Sequence, residues 1–111
     1  MEEFSEAIKQ HESANDGMDI HLYFNSQIGF YTAYGMSAFL ADHIVDGIKA
    51  YSDWFQMPVM IIIPNEVISL RNATTKVEHI PHQYYHFRLR NDYIKKEGYT
   101  KWLNQIIKKK A

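Results

Sequence analysis

Two prolines bracket Val59-Met60-Ile61-Ile62-Ile63. Five consecutive apolar residues, four of them β-branched, offer no polar side at a period of 2 or of 3.6, so this segment must be covered on both faces. Pro64 stops it, and a run this short reads as a buried strand. We therefore expect Val59–Ile63 to form the central strand of a sheet. Extended back to Met57, the run is still far short of the roughly 20 residues that cross a bilayer as a helix, so no membrane partner is expected.

The neighbours of that strand are visible as alternation. Ile20, Leu22 and Phe24 alternate with His21 and Tyr23, and after Asn25-Ser26-Gln27 the pattern resumes with Ile28, Phe30, Thr32 and Tyr34, which predicts a β-hairpin. Pro64-Asn65-Glu66 reads as a turn into Val67-Ile68-Ser69-Leu70, and Asn72-Ala73-Thr74-Thr75 as a second turn into Lys76–Ile80. Further on, Tyr85, Phe87 and Leu89 alternate with Tyr84, His86, Arg88 and Arg90, giving a strand with one apolar and one basic face.

Helical spacing appears in three places. Phe4 and Ile8 suggest a short helix over Glu2–His11, ended by Ser13-Ala14-Asn15-Asp16-Gly17. Leu40, Ile44, Ile48, Tyr51 and Phe55 line one face of a helix over about 37–55, with Ser37 as its N-cap and Val45 and Trp54 widening the stripe. Gly47 within it costs about 1 kcal/mol relative to alanine, which either the long apolar stripe offsets or a closely packed neighbour explains. Tyr99, Trp102, Leu103 and Ile106 make a C-terminal amphipathic helix that starts near 92 or 99 and runs to about 110. With 46% hydrophobic and 14% aromatic residues in 111, one core suffices. The expected fold is α+β: a single domain over residues 1–111, with a mainly antiparallel sheet packed by the helix at 37–55 and the C-terminal helix.

Chemistry-bearing patterns are sparse. There are no cysteines, which removes disulfides and thiol nucleophiles and suits a reducing compartment. The polar start, Met1-Glu2-Glu3 onward, lacks a signal-peptide pattern, and a cytoplasmic location is expected. No Gly-x-Ser-x-Gly elbow and no glycine-rich phosphate loop occurs, so no catalytic residue and no cofactor is assigned. His79, His82 and His86 are close enough in sequence to suggest metal ligands, but Pro81 lies between the first two and alternation sends them to different faces; no metal site is assigned to them. Asp42 and Asp46 lie one helical turn apart, as on any charged helix face.

The residues 84–109 hold the densest basic and aromatic tract. Arg88, Arg90, Lys95, Lys96 and Lys101 stand among Tyr84, Tyr93, Tyr99 and Trp102, a mixture that could hold phosphates and stack bases. The simpler reading is a wet strand face followed by a wet helix face. Charge is also divided along the chain: residues 1–55 carry nine acids against two bases, a balance of −7, and residues 56–111 carry ten bases against four acids, a balance of +6. Two such halves either pair within the monomer or present opposite faces that steer a partner or a second copy, the alternative being simple solvation of a mixed surface. The sequence therefore favours a protein-interaction or regulatory module, homo-oligomeric, whose partner is a second copy or another protein. A nucleic-acid-associated protein using 84–109 is one alternative; a ligand binder or enzyme around His79, His82 and His86 is another.

Overall fold

The computed structural model describes residues 2–45, 51–52, 58–92 and 94–110, with side chains described for 6–45, 58–92 and 94–106. Chain order is α1 (Glu2–Ser13), β1 (Asp19–Asn25), β2 (Phe30–Tyr34), α2 (Gly35–Ile44), β3 (Tyr51–Ser52), β4 (Pro58–Ile62), α3 (Pro64–Ala73), β5 (Thr74–Ile80), β6 (Tyr84–Leu89), a 3-10 turn (Lys96–Gly98) and α4 (Tyr99–Lys110). The six strands form one antiparallel sheet in the order β3-β4-β2-β1-β6-β5. The expected α+β class with a mainly antiparallel sheet is what these elements build. Among the described residues no helix is long and apolar enough to cross a membrane.

The expected hairpin is β1–β2. Asn25 shapes its turn by accepting the Gln27 N–H on Oδ1 at 3.0 Å and the Gly29 N–H on its carbonyl at 2.9 Å, and Gly29 takes φ 75°, which suits a residue without Cβ. Register then sorts the side chains. Ile20, Leu22, Ala33, Met60, Ile62, Phe87 and Leu89 point to one face, where Phe39 and Leu40 of α2 and Val67 and Leu70 of α3 complete the core. Cross-strand partners Asp19–Arg88, His21–His86 and Tyr23–Tyr84 share the opposite face, over which α1 lays His11.

Four expectations are corrected. β4 is not the central strand: β1 and β2 occupy the middle, and β4 has only the two-residue β3 beyond it. Its apolar run is still needed, because the helices cover one of its faces. The helix expected over 37–55 ends at Ile44; Val45 is already extended at φ −109°, ψ 111°, and Tyr51-Ser52 pair with Val59 and Pro58. Ile44-Val45-Asp46-Gly47 are weak helix formers, and strand pairing captures the residues that the 3.6-residue spacing had assigned to the helix. Asp46, Gly47, Ile48, Trp54 and Phe55 of that expected helix, and Tyr93 of the basic tract, lie outside the described residues.

Pro64–Ala73 is a helix rather than a turn, a strand and a second turn. Pro64 occupies its first turn, where no N–H is needed, and Glu66 Oε1 accepts the Ile63 N–H at 3.2 Å. Lastly, Ser37 does not cap α2. The helix starts two residues earlier, at Gly35, and the Ser37 hydroxyl is used elsewhere.

Candidate functional site

The sheet face opposite the core carries a column of rings. His11, from α1, stacks on His21 at 4.6 Å between centroids, and His21 stacks on its cross-strand neighbour His86 at 4.4 Å. Tyrosines border the column: His11 Nδ1 and the Tyr23 hydroxyl are hydrogen-bonded at 2.7 Å, as are His21 Nδ1 and the Tyr84 hydroxyl at 2.6 Å. His86 Nε2–H donates to Asp19 Oδ1 at 2.8 Å. Arg88 donates to both Asp19 oxygens at 3.0 Å and reaches Asp16 Oδ2 at 3.0 Å. Here the acidic first half and the basic second half of the sequence meet within one chain.

One end of α1 is locked by a carboxylate. Glu12 Oε1 accepts the Ser37 N–H at 3.0 Å and Oε2 accepts the Ser37 hydroxyl at 2.7 Å, while Ser37 Oγ accepts the His21 N–H at 2.9 Å. Glu12 thus serves the free amides at the start of a helix to which it does not belong. Gly35 turns the chain into α2 at φ 55°, a conformation that suits a residue without Cβ, and packs against the Glu12 side chain.

Burial shifts the titration of these groups. The Glu12 carboxyl is pushed up to about 7 by burial, against the pull of its bonds from Ser37 and Asn15. His21 is held down to about 4 by burial first, then by His86 and His11 nearby, with Asp19 opposing. Burial also lowers His11 and raises the Tyr23 and Tyr84 hydroxyls. No buried side-chain nitrogen or oxygen among the described residues lacks a hydrogen-bond partner. A fully satisfied network of this kind fixes α1 on the sheet and keeps its protons in place.

The histidines singled out in the sequence do not converge. His79 stacks on Tyr85 at 3.9 Å on the core side of the sheet, His82 is the positive-φ residue (58°) of the β5–β6 turn, edge-on to Phe24, and His86 is in the column. Among the described residues no group of three His, Asp or Glu side chains is arranged to hold a metal ion. The sequence reading passed over His11, Glu12 and His21. Their one signal was the alternation that puts His21 and Tyr23 opposite Ile20 and Leu22.

The basic tract is also split. Arg88 is paired at the column, and Arg90 donates to the Thr74 carbonyl at 3.1 Å. Lys96 belongs to the 3-10 turn, with its side chain against Gly17. Lys95 and Lys101 instead flank a cleft of about 550 Å³ between α2 and α4, floored by Phe39, His43 and Trp102. Phe39 meets Trp102 at 5.4 Å and Tyr99 at 5.7 Å, both edge-on. Trp102 Nε1–H donates to Asp42 Oδ2 at 2.7 Å, and His43 Nδ1–H to the Phe39 carbonyl at 3.0 Å.

At the sheet margin, β5 pairs with β6 on one side and, among the described residues, has no further strand on the other. Residues 75–80 are all exposed, and Val77 and Ile80 leave 54% and 39% of their surface in solvent. A β-bulge falls between Lys76 and Glu78. No protein-family model, curated protein or solved structure matches the chain.

Proposed function

We propose that the protein is a cytoplasmic interaction module that associates with a second copy of itself along β5. The observation that carries this reading is the edge: six successive exposed residues with two large apolar side chains and a row of backbone groups that no further strand pairs. Lys76 and the bulge bar indiscriminate pairing. A second β5 matches this edge in length and in its exposed Val77 and Ile80. A chain without cysteine fits a reducing cytoplasm.

Light scattering on the purified protein, combined with hydrogen–deuterium exchange, tests the proposal. Mass should rise above 13.1 kDa with concentration, and amide protection should rise with it on β5. Val77→Lys should return the mass to that of one chain without loss of the circular dichroism signal. A single-chain mass at every concentration, or association that leaves the exchange of β5 unchanged, overturns the assignment.

A further inference from the structure

We infer that the cleft between α2 and α4 is a binding site for a small planar aromatic ring carrying an anionic group. Its size lies within the roughly 300–1,000 Å³ of sites that hold small organic ligands. Its wall is aromatic and held in place: the part-exposed indole of Trp102 is fixed by its bond to Asp42, and Phe39, buried behind it, is wedged edge-on between Trp102 and His43. A flat ring can stack on the Trp102 indole with no rearrangement of the wall, which keeps the ordering cost of binding low.

Charge selects the substituent. Among the described residues Lys95 and Lys101 line the cleft, no acid lines it, and neither lysine is in an ion pair. Asp42, beside His43, accepts the Trp102 indole N–H on Oδ2, and Glu97 faces the neighbouring groove with Thr100 and Asn104. A carboxylate or phosphate on the ring would add charge-assisted bonds to these exposed ammonium groups that a neutral ring cannot make. His43 has its Nδ1–H committed to Phe39, which leaves Nε2 to accept a hydrogen from the ligand. Gln105 adds an amide at the same wall.

Gly98 borders the remaining side, where a Cβ would make ordinary contact with Phe39 Cζ at 3.5 Å, so the 3-10 turn packs on that ring. This brings Lys95 and Lys101, on either side of Gly98, to the rim of one cleft. The arrangement answers to a ring and a charge together, and it is independent of β5.

The test uses the full-length protein and five probes: benzoate and adenosine monophosphate as ring-bearing anions, benzamide and adenosine as their neutral counterparts, and inorganic phosphate as a charge without a ring. Nuclear magnetic resonance titration should give saturable shifts for at least one ring-bearing anion, centred on Gly98, His43 and the Trp102 indole N–H. Comparison of benzoate with adenosine monophosphate then distinguishes an aryl carboxylate from a nucleotide. The neutral counterpart should bind at least about tenfold more weakly, as should the Lys101→Ala and Lys95→Ala variants, both exposed positions that leave the fold intact. Absence of saturable binding by either anion, equal binding of phosphate alone, equal binding of the neutral probes, or affinity unchanged in both lysine variants would each overturn the site.

Discussion

Ser37 gives its hydroxyl hydrogen to Glu12 across 2.7 Å, and through that bond α1 holds the start of α2. The same oxygen accepts the His21 N–H from β1, so one buried hydroxyl joins two helices and a strand.

Ser37→Ala should therefore cost more than an ordinary surface hydroxyl. It leaves the His21 N–H buried without an acceptor and removes a donor from Glu12, and an orphaned buried group costs about 1–3 kcal/mol. We expect a loss of about 2 kcal/mol or more in urea unfolding. A loss within about 0.5 kcal/mol, the scatter of neutral surface changes, would contradict the role assigned to Ser37.

Glu12→Gln should change the dependence of stability on pH. The folded carboxyl titrates at about 7 against an ordinary value of 4.5, so the folded state holds a proton that the unfolded chain releases between them. Its contribution is complete below pH 4.5 and is lost as pH rises through 7, by up to about 3 kcal/mol. Glutamine keeps one oxygen to accept one of the two Ser37 bonds and cannot ionise. Relative to the native chain, the variant should gain stability from pH 4.5 to 8; parallel unfolding profiles for the two proteins would refute the argument.

His21 works in the other direction. Held down to about 4, it stays neutral in the folded state while the unfolded histidine takes a proton below 6.5, so stability falls as pH drops from 6.5 to 4. In the native chain this slope and that of Glu12 oppose each other between 4.5 and 6.5, and in Glu12→Gln the histidine slope should emerge alone. The ring resonances of His21 should move near pH 4 in a magnetic resonance titration. A midpoint above 6 would show that the column does not exclude the charge.

The sequence was legible where one periodicity acted alone. Asp19–Asn25, Phe30–Tyr34 and Tyr84–Leu89 alternate cleanly, and each is a strand with the expected faces. Legibility failed where two tendencies competed. The spacing of Leu40, Ile44, Ile48 and Tyr51 is helical, yet Tyr51 is held by a strand far enough along the chain that local spacing cannot register it. Pro64 and Glu66 were correct signals for a helix start, masked by a proline that also reads as a turn. For the column, the sheet-borne histidine and tyrosines were readable one strand at a time, but the docking of His11 and Glu12 is a tertiary event with no local signature. Cleft and edge have the same origin: Phe39 and Trp102 are 63 positions apart, and nothing local reveals that β5 is the last strand.

The two margins of the sheet are unequal, and this limits the size of any assembly. The margin opposite β5 is the two-residue β3, with α4 packed across it. Among the described residues, a molecule paired through β5 has no second long edge to offer. Growth by strand addition therefore terminates at two chains, which protects a β-rich protein with exposed valine and isoleucine from propagating into a fibre.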